Sequence, residues 1–238
     1  MASSDDRLTE TDEAYSRLRK AILRGQFMPN ERLIEVDLAQ RLDVGRAAIR
    51  TALARLEQEG IVEREPFRGA RVRAVSEGEA IEILEARAAL EGLAIGYAAR
   101  NATEEDIATL RNILKNMQAC FGQGDLLGIS DLNSGLHREL LRIADHRTAT
   151  RMIDVLQAQV VRHQYRTILV PGRGPQSLQE HRAIVEAVAA HDADAAEAAM
   201  RVHLSHVVQA LRQTRSQSAE TFATYPGIRE IGRKSGGS

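Results

Sequence analysis

Between Gly78 and Thr214 the sequence alternates long helix-favouring stretches with short cap-like breaks, and strand-type alternation is absent there. Such a run has few ways to bury its apolar side chains. Its amphipathic stripes must pack on one another, so an all-α helical bundle is the expected fold of this part. The spacing predicts helices at about 78–100, 103–122, 125–144, 147–169, 175–190 and 192–214. Thr103-Glu104-Glu105-Asp106 reads as a capping box with acids at the positive end of the helix dipole. Ser177 and Asp192 are further cap candidates, and Pro171-Gly172-Arg173-Gly174-Pro175 reads as a break.

The residues before this run have a different grammar. Ala14, Leu18 and Ile22 form a helical stripe from a cap at Thr11 or Asp12, ending at Gly25 before Pro29. A second helix is expected over about 35–42, a turn at Asp43-Val44-Gly45, and a third helix over about 46–59. Ala47, Ile49, Leu53 and Leu56 mark its buried stripe. Ile61–Arg64 and Ala70–Arg73 alternate as strands do, around a Pro66–Gly69 turn. Three helices and a hairpin in this order make a winged helix-turn-helix. The expected whole is mostly α: a flexible N-terminus (1–10), the winged helix-turn-helix (11–75), the helical domain (76–214) and a flexible tail (215–238). Val75–Gly78 is the expected hinge between the two domains.

Composition separates the same two parts. Arg46 to Arg73 holds seven Arg against four Glu, a local +3, whereas Ser76 to Thr214 holds 14 basic and 18 acidic residues, a local −4. All seven histidines lie beyond residue 136. One cysteine, Cys120, excludes an internal disulfide and fits a reducing cytoplasm; packing predicts it as a small buried hydrophobe. The start MASSDDRLTE has no apolar core of a signal peptide, and no apolar run approaches the ~20 residues needed to span a bilayer.

Two residue sets carry chemistry. Arg46 and Arg50, four apart at the start of the third helix, project from one face. The second helix of a helix-turn-helix lays such residues against base edges in the major groove, where Arg matches guanine. Arg68 and Gly69 at the hairpin tip would form a wing against the minor groove or phosphates. The second set is His137, His181 and His203 on three different helices, with Asn133 one turn before His137. Imidazoles with an oxygen donor suit a divalent transition metal, whether Zn, Ni, Mn or Fe, with open positions for water or ligand. His146 and His191 are expected near helix C-termini, and His163 and His206 outside the site.

The run LIEVDLAQRLDVGRAAIRTALARLEQEGIVEREPFRGARV resembles the GntR family of bacterial regulators. The runs SDLNSGLHREL and EHRAIVEAVAAHDADAAEAAMRVHLSH resemble the C-terminal ligand-binding domain of its FadR-like branch, the FCD domain. The resemblance implies a homodimer that binds operator double-stranded DNA through Arg46, Ala47, Arg50, Arg68 and Gly69. It implies a metal held by Asn133, His137, His181 and His203, beside which a small carboxylate effector binds. It places Arg87 in the effector pocket, with Arg162 and Arg166 as weaker candidates. The chain departs from the pattern at Gly45 and Ala47, where the family often has Ser and Thr, and at Asn133, where Asp is more usual. The expected function is a transcriptional regulator, a repressor with no enzymatic activity. The alternatives are a metalloregulator that senses the metal itself, a metal-dependent hydrolase and a helical interaction protein.

Overall fold

A computed structural model describes residues 4–65, 69–168 and 170–224. Arg68, the side chains of Arg162 and Arg166, and residues 225–238 lie outside the described residues. The element order is α1 (Ser4–Leu23), β1 (Arg32–Leu33), α2 (Glu35–Leu42), α3 (Arg46–Gln58), β2 (Val62–Glu65), β3 (Gly69–Val72), α4 (Glu77–Asn101), α5 (Glu104–Gln123), α6 (Leu126–Ala144), α7 (Arg147–Ile168), α8 (Arg173–Ala189) and α9 (Ala193–Thr224). The fold is mostly α with one small three-stranded sheet. Among the described residues no helix is long and apolar enough to cross a membrane.

The chain divides into two compact units, Met1–Glu91 with His146–His163, and Gly92–Asp145 with Gln164–Ser238. In the first, the stripe Ala14, Leu18 and Ile22 of α1 packs with Ile49, Leu53 and Leu56 of α3 into one apolar core. Leu38 of α2 and Leu33, Val62 and Val72 of the sheet close it, and Ala158 of α7 joins them. The antiparallel sheet has the order β1-β3-β2, with Arg32 opposite Arg71 and Val62 opposite Val72. Tyr15 Oη donates to Glu59, and Arg19 pairs with the same carboxylate at 2.9 Å, tying α1 to the end of α3. Burial and the Glu59 charge push the Tyr15 phenol up to about 12. Gln159 of α7 donates to the Glu59 carbonyl at 2.7 Å and accepts from Arg73 at 3.2 Å. His163 donates to the Val75 carbonyl at 3.0 Å, so the Val75–Gly78 segment is bonded to α7.

In the second unit, α5 packs on α6 and α8, and α8 on α9, around Leu110, Met117, Leu136, Leu140, Ile184, Val188, Met200 and Leu204. Asn101 at the end of α4 donates to the carbonyls of Ile143 and Ala144, which close α6. Thr103 and Asp106 make the expected reciprocal capping box on α5, and these bonds from Thr103 hold the Asp106 carboxyl below its usual range. Asp192 accepts from Ala195 at 3.0 Å, capping α9 as expected.

Several expectations need correction. α1 begins at Ser4 rather than near Thr11, and α9 runs on to Thr224 rather than stopping at Thr214. Both extensions are polar, with no apolar stripe to mark them. β1 was not expected, because two residues leave no alternation to read. In α3 the buried alanines are Ala48 and Ala52, and Ala47 is exposed. α8 begins inside the Pro-Gly break, since Pro175 lies in its first turn, where a missing N–H costs nothing. Ser177 therefore lies within α8 and is not its cap. His146 follows the end of α6 as expected, and it also caps the start of α7 by accepting from Ala149. Cys120 is half-buried rather than buried.

Candidate functional site

Each histidine of the trio occupies a position in an apolar stripe, so packing the stripes drives the imidazoles inward. His137 falls among Ile129, Leu136 and Leu140 on α6, His181 among Ile184, Val185 and Val188 on α8, and His203 among Met200, Leu204 and Val207 on α9. All three are buried, and each offers a nitrogen within 4.8 Å of the others'. His137 Nε2 lies 3.4 Å from His181 Nε2. Two nitrogens at 2.0–2.1 Å from one tetrahedral ion stand about 3.3 Å apart, so this spacing fits a shared cation. In the tautomers that turn both lone pairs inward the two nitrogens repel at that distance, and a shared cation relieves the repulsion.

The outer nitrogens of His181 and His203 also have partners. Ser177 Oγ lies 3.5 Å from His181 Nδ1. His203 Nδ1 donates to Glu180 Oε2 at 2.8 Å, which leaves the lone pair on Nε2. The Glu180 carboxylate is a hub: Oε1 accepts from His206 Nδ1 at 2.7 Å, and Oε2 also pairs with Arg173 at 2.8 Å. Such outer partners fix the tautomer and orientation of metal-ligating histidines. Burial, then the neighbouring His203 and His137, hold the His181 imidazole well below its usual range, in the neutral form a metal requires. Asn133 is half-buried one turn before His137 on α6.

Sequence reasoning missed Arg173 and the aim of Glu180. A Glu beside a His is commonplace, and which way it points depends on α9 packing across α8. Arg173 stood in a segment read as a break. His206 stands outside the trio as expected, although its carboxylate partner joins it to the cluster. Arg87 is almost fully buried and pairs with Glu91 at 2.7 Å, so it is not the exposed helix arginine its i, i+4 spacing would also allow. Its Nη1 is buried with no hydrogen-bond partner among the described residues.

The basic stretch is less free than its charge count suggests. Arg55 pairs with Asp12, Arg71 with Glu63, and Arg73 with Glu79 and Glu63. At the start of α3, Arg46 and Ala47 are exposed, and Arg46 makes no ion pair among the described residues. Arg50 is exposed and pairs with Glu35 of α2 at 3.1 Å, and that partner raises its already high affinity for a proton. Glu10 accepts from the Gly45 N–H at 2.6 Å, at the positive end of α3. Gly69 opens β3 at φ 85, a left-handed conformation that suits glycine.

A family model described as bacterial regulatory proteins, gntR family, matches residues 10–72, and one described as FCD domain matches residues 82–206. The chain is 28% identical to the HTH-type transcriptional repressor RspR of Escherichia coli K12, over 89% of this chain and 92% of that protein. It is 30% identical to a putative L-lactate dehydrogenase operon regulatory protein of the same organism, over 83% of this chain and 84% of the relative. Among solved structures, E. coli McbR/YncC superposes with a TM-score of 0.74 at 21% identity, covering 90% of this chain and 100% of that one, a likeness of fold.

Proposed function

Since this chain belongs to the gntR family of bacterial regulatory proteins and carries an FCD domain, it is a transcription regulator rather than an enzyme, and we propose that it is a repressor controlled by a small carboxylate. A homodimer binds a palindromic operator. Arg46, Ala47 and Arg50 meet the major groove, and Arg68 and Gly69 supply the wing. A divalent transition metal is held by His137, His181 and His203, with Asn133 as the oxygen donor. When bound, the metal supplies a Lewis-acid anchor for the effector's carboxylate. Arg87 is the proposed carboxylate clamp on α4, with Arg162 as a further candidate. Effector binding shifts the helices and, through the Val75–Gly78 hinge, changes the spacing of the two heads so that they release the half-sites.

The observation that carries the reading is the convergence of three buried imidazoles, two of which, His181 and His203, turn their rear nitrogens to Ser177 and Glu180. Its test is elemental analysis of the purified chain and thermal melts with added Zn, Ni and Mn. The expected result is a bound ion and a raised Tm, because the ion binds the folded chain alone. His181→Ala should abolish both. A wild-type chain with no ion and no gain in Tm would reduce the trio to a polar pocket.

A further inference from the structure

We propose that the outer face of α4 is where two copies of this chain meet, the two helices running antiparallel about a two-fold axis at the level of Glu91. The proposal deepens the homodimer of the reading above and rests on it. For a helix with one face in water, α4 has its charges on the wrong side. Between Ala86 and Tyr97 its only charged residues, Arg87 and Glu91, turn inward and are 2% and 1% exposed. Left outside are Ala86, Ala89, Leu93 and Tyr97, and the two large ones are 41% and 38% exposed. A surface helix puts its polar residues outward, and a helix that is apolar on every side is a buried one. One flank of α4 is already taken by α9, since a Cβ on Gly92 would stand 3.1 Å from Arg201 Nε. The apolar stripe is the face still open to solvent in the single chain.

The stripe fits a second copy of itself. At about 3.6 residues per turn, Glu82, Ala86, Ala89, Leu93, Tyr97 and Arg100 fall within an arc of about 80°. All of them are exposed. Reversing the helix about Glu91 puts Glu82 level with Arg100 and Ala89 level with Leu93, and it brings Tyr97 within one residue of Ala86. Large side chains then face small ones, which lets two helices interdigitate. Opposite charges close both ends of the seam, and neither Glu82 nor Arg100 has an ion-pair partner in its own chain among the described residues. A parallel pairing would set Glu82 against Glu82 and Arg100 against Arg100, and like charges repel. Two-fold symmetry makes each favourable contact twice, as a self-complementary surface does. A partner of different sequence gives no reason for sizes and charges to mirror one another about a single residue.

The test is sedimentation velocity on the full chain from about 0.1 to about 100 µM, with the wild type expected to be a dimer. Leu93→Glu should weaken dimerisation by at least about a hundredfold, because it seats two carboxylates against apolar surface near the axis. Its helix content by circular dichroism should match wild type, since Leu93 is exposed in the single chain. Glu82→Arg and Arg100→Glu should each weaken the dimer about tenfold, as each sets like charges against one another at both ends of the seam. The double reversal exchanges the partners and should return to within about threefold of wild type. These exposed charge variants decide the matter if Leu93→Glu does not fold. A dimer that a folded Leu93→Glu leaves intact overturns the proposal while the homodimer stands, and so does a double reversal no tighter than the single ones. A wild type that stays monomeric throughout fails earlier, at the homodimer reading itself, and brings this proposal down with it.

Discussion

Two arginine–glutamate pairs of similar length behave as opposites in this molecule. Arg50 meets Glu35 at 3.1 Å with 60% of its side chain exposed, and Arg173 meets Glu180 at 2.8 Å with 6% exposed. In water the first pair is screened, and its members can be exchanged for other partners at little cost. That is what a DNA-reading arginine needs: a resting partner that a guanine or phosphate can displace. The second pair is enclosed, and removing either member strands a buried charge. It is suited to holding other groups in place. Distance alone does not distinguish a parked side chain from a fixed one; the surrounding solvent does.

The largest effect expected from this contrast is at the enclosed pair. Glu180→Leu takes from Arg173 the one ion-pair partner it has among the described residues and takes the acceptor from His203 and His206. Chemical denaturation should show a loss of about 3–5 kcal/mol, the cost of breaking a buried pair. Metal affinity should fall roughly 10–100-fold as the His203 ring loses its rear hydrogen bond. Glu180→Gln, which keeps one acceptor, should fall between this variant and the wild type. A stability loss no larger than that of a surface substitution would show that the pair is effectively solvated.

Next comes Arg50, the member of the exposed pair proposed to contact DNA. Arg50→Ala should weaken specific operator binding by about tenfold to a hundredfold in fluorescence anisotropy, the worth of a good base contact. Its Tm should stay at the wild-type value. A variant that loses Tm instead of DNA affinity would mean that the Arg50 pair is structural after all.

A smaller effect separates the units by pH. The folded chain holds the His181 imidazole well below its usual value, mainly through burial. Below about pH 6.5 the unfolded chain therefore binds a proton that the folded chain refuses. Stability of the metal-free protein should fall as pH drops from about 6.5, by at most about 1.4 kcal/mol per pH unit for this one group. It should level off only below the folded-state value. His181→Gln, measured in chelator, should flatten that slope. An unchanged slope would assign the acid sensitivity to other groups.

The DNA-reading head and the trio were legible in sequence for different reasons. Ala14, Leu18 and Ile22 repeat with the helical period, so the α1 stripe could be read residue by residue. The alanine pair at 47 and 48 could not be resolved, because two small residues in a row give no contrast. The trio stood out because its histidines fall on three different predicted helices, with Asn133 one turn before His137, in runs that resemble the FCD domain. The hub behind it was hidden. Glu180 and His203 meet across 23 residues of sequence, and the contact exists only once α8 and α9 are packed. Arg173 was hidden by its neighbours, since Pro and Gly on both sides suggested a loop where a helix begins. Periodicity reports which face is buried, but not where a charged side chain on that face will point.

The smallest expected effect is the sharpest test of the exposed pair. Glu35 is the resting partner of Arg50, reached from α2, and its side chain is 21% exposed. In Glu35→Gln the amide still accepts a hydrogen bond but no longer attracts the guanidinium or repels phosphate. Stability should stay within about 0.5 kcal/mol of wild type, as for most surface substitutions. DNA affinity should rise slightly, by no more than about threefold. The gain should shrink as salt is raised, since it comes from removing one negative charge near the phosphate backbone. Anisotropy titrations at two salt concentrations would measure it. If Glu35→Gln instead weakens operator binding, the carboxylate is orienting Arg50 toward its base rather than parking it. The exposed pair would then be doing at the DNA what Glu180 does for Arg173 in the interior.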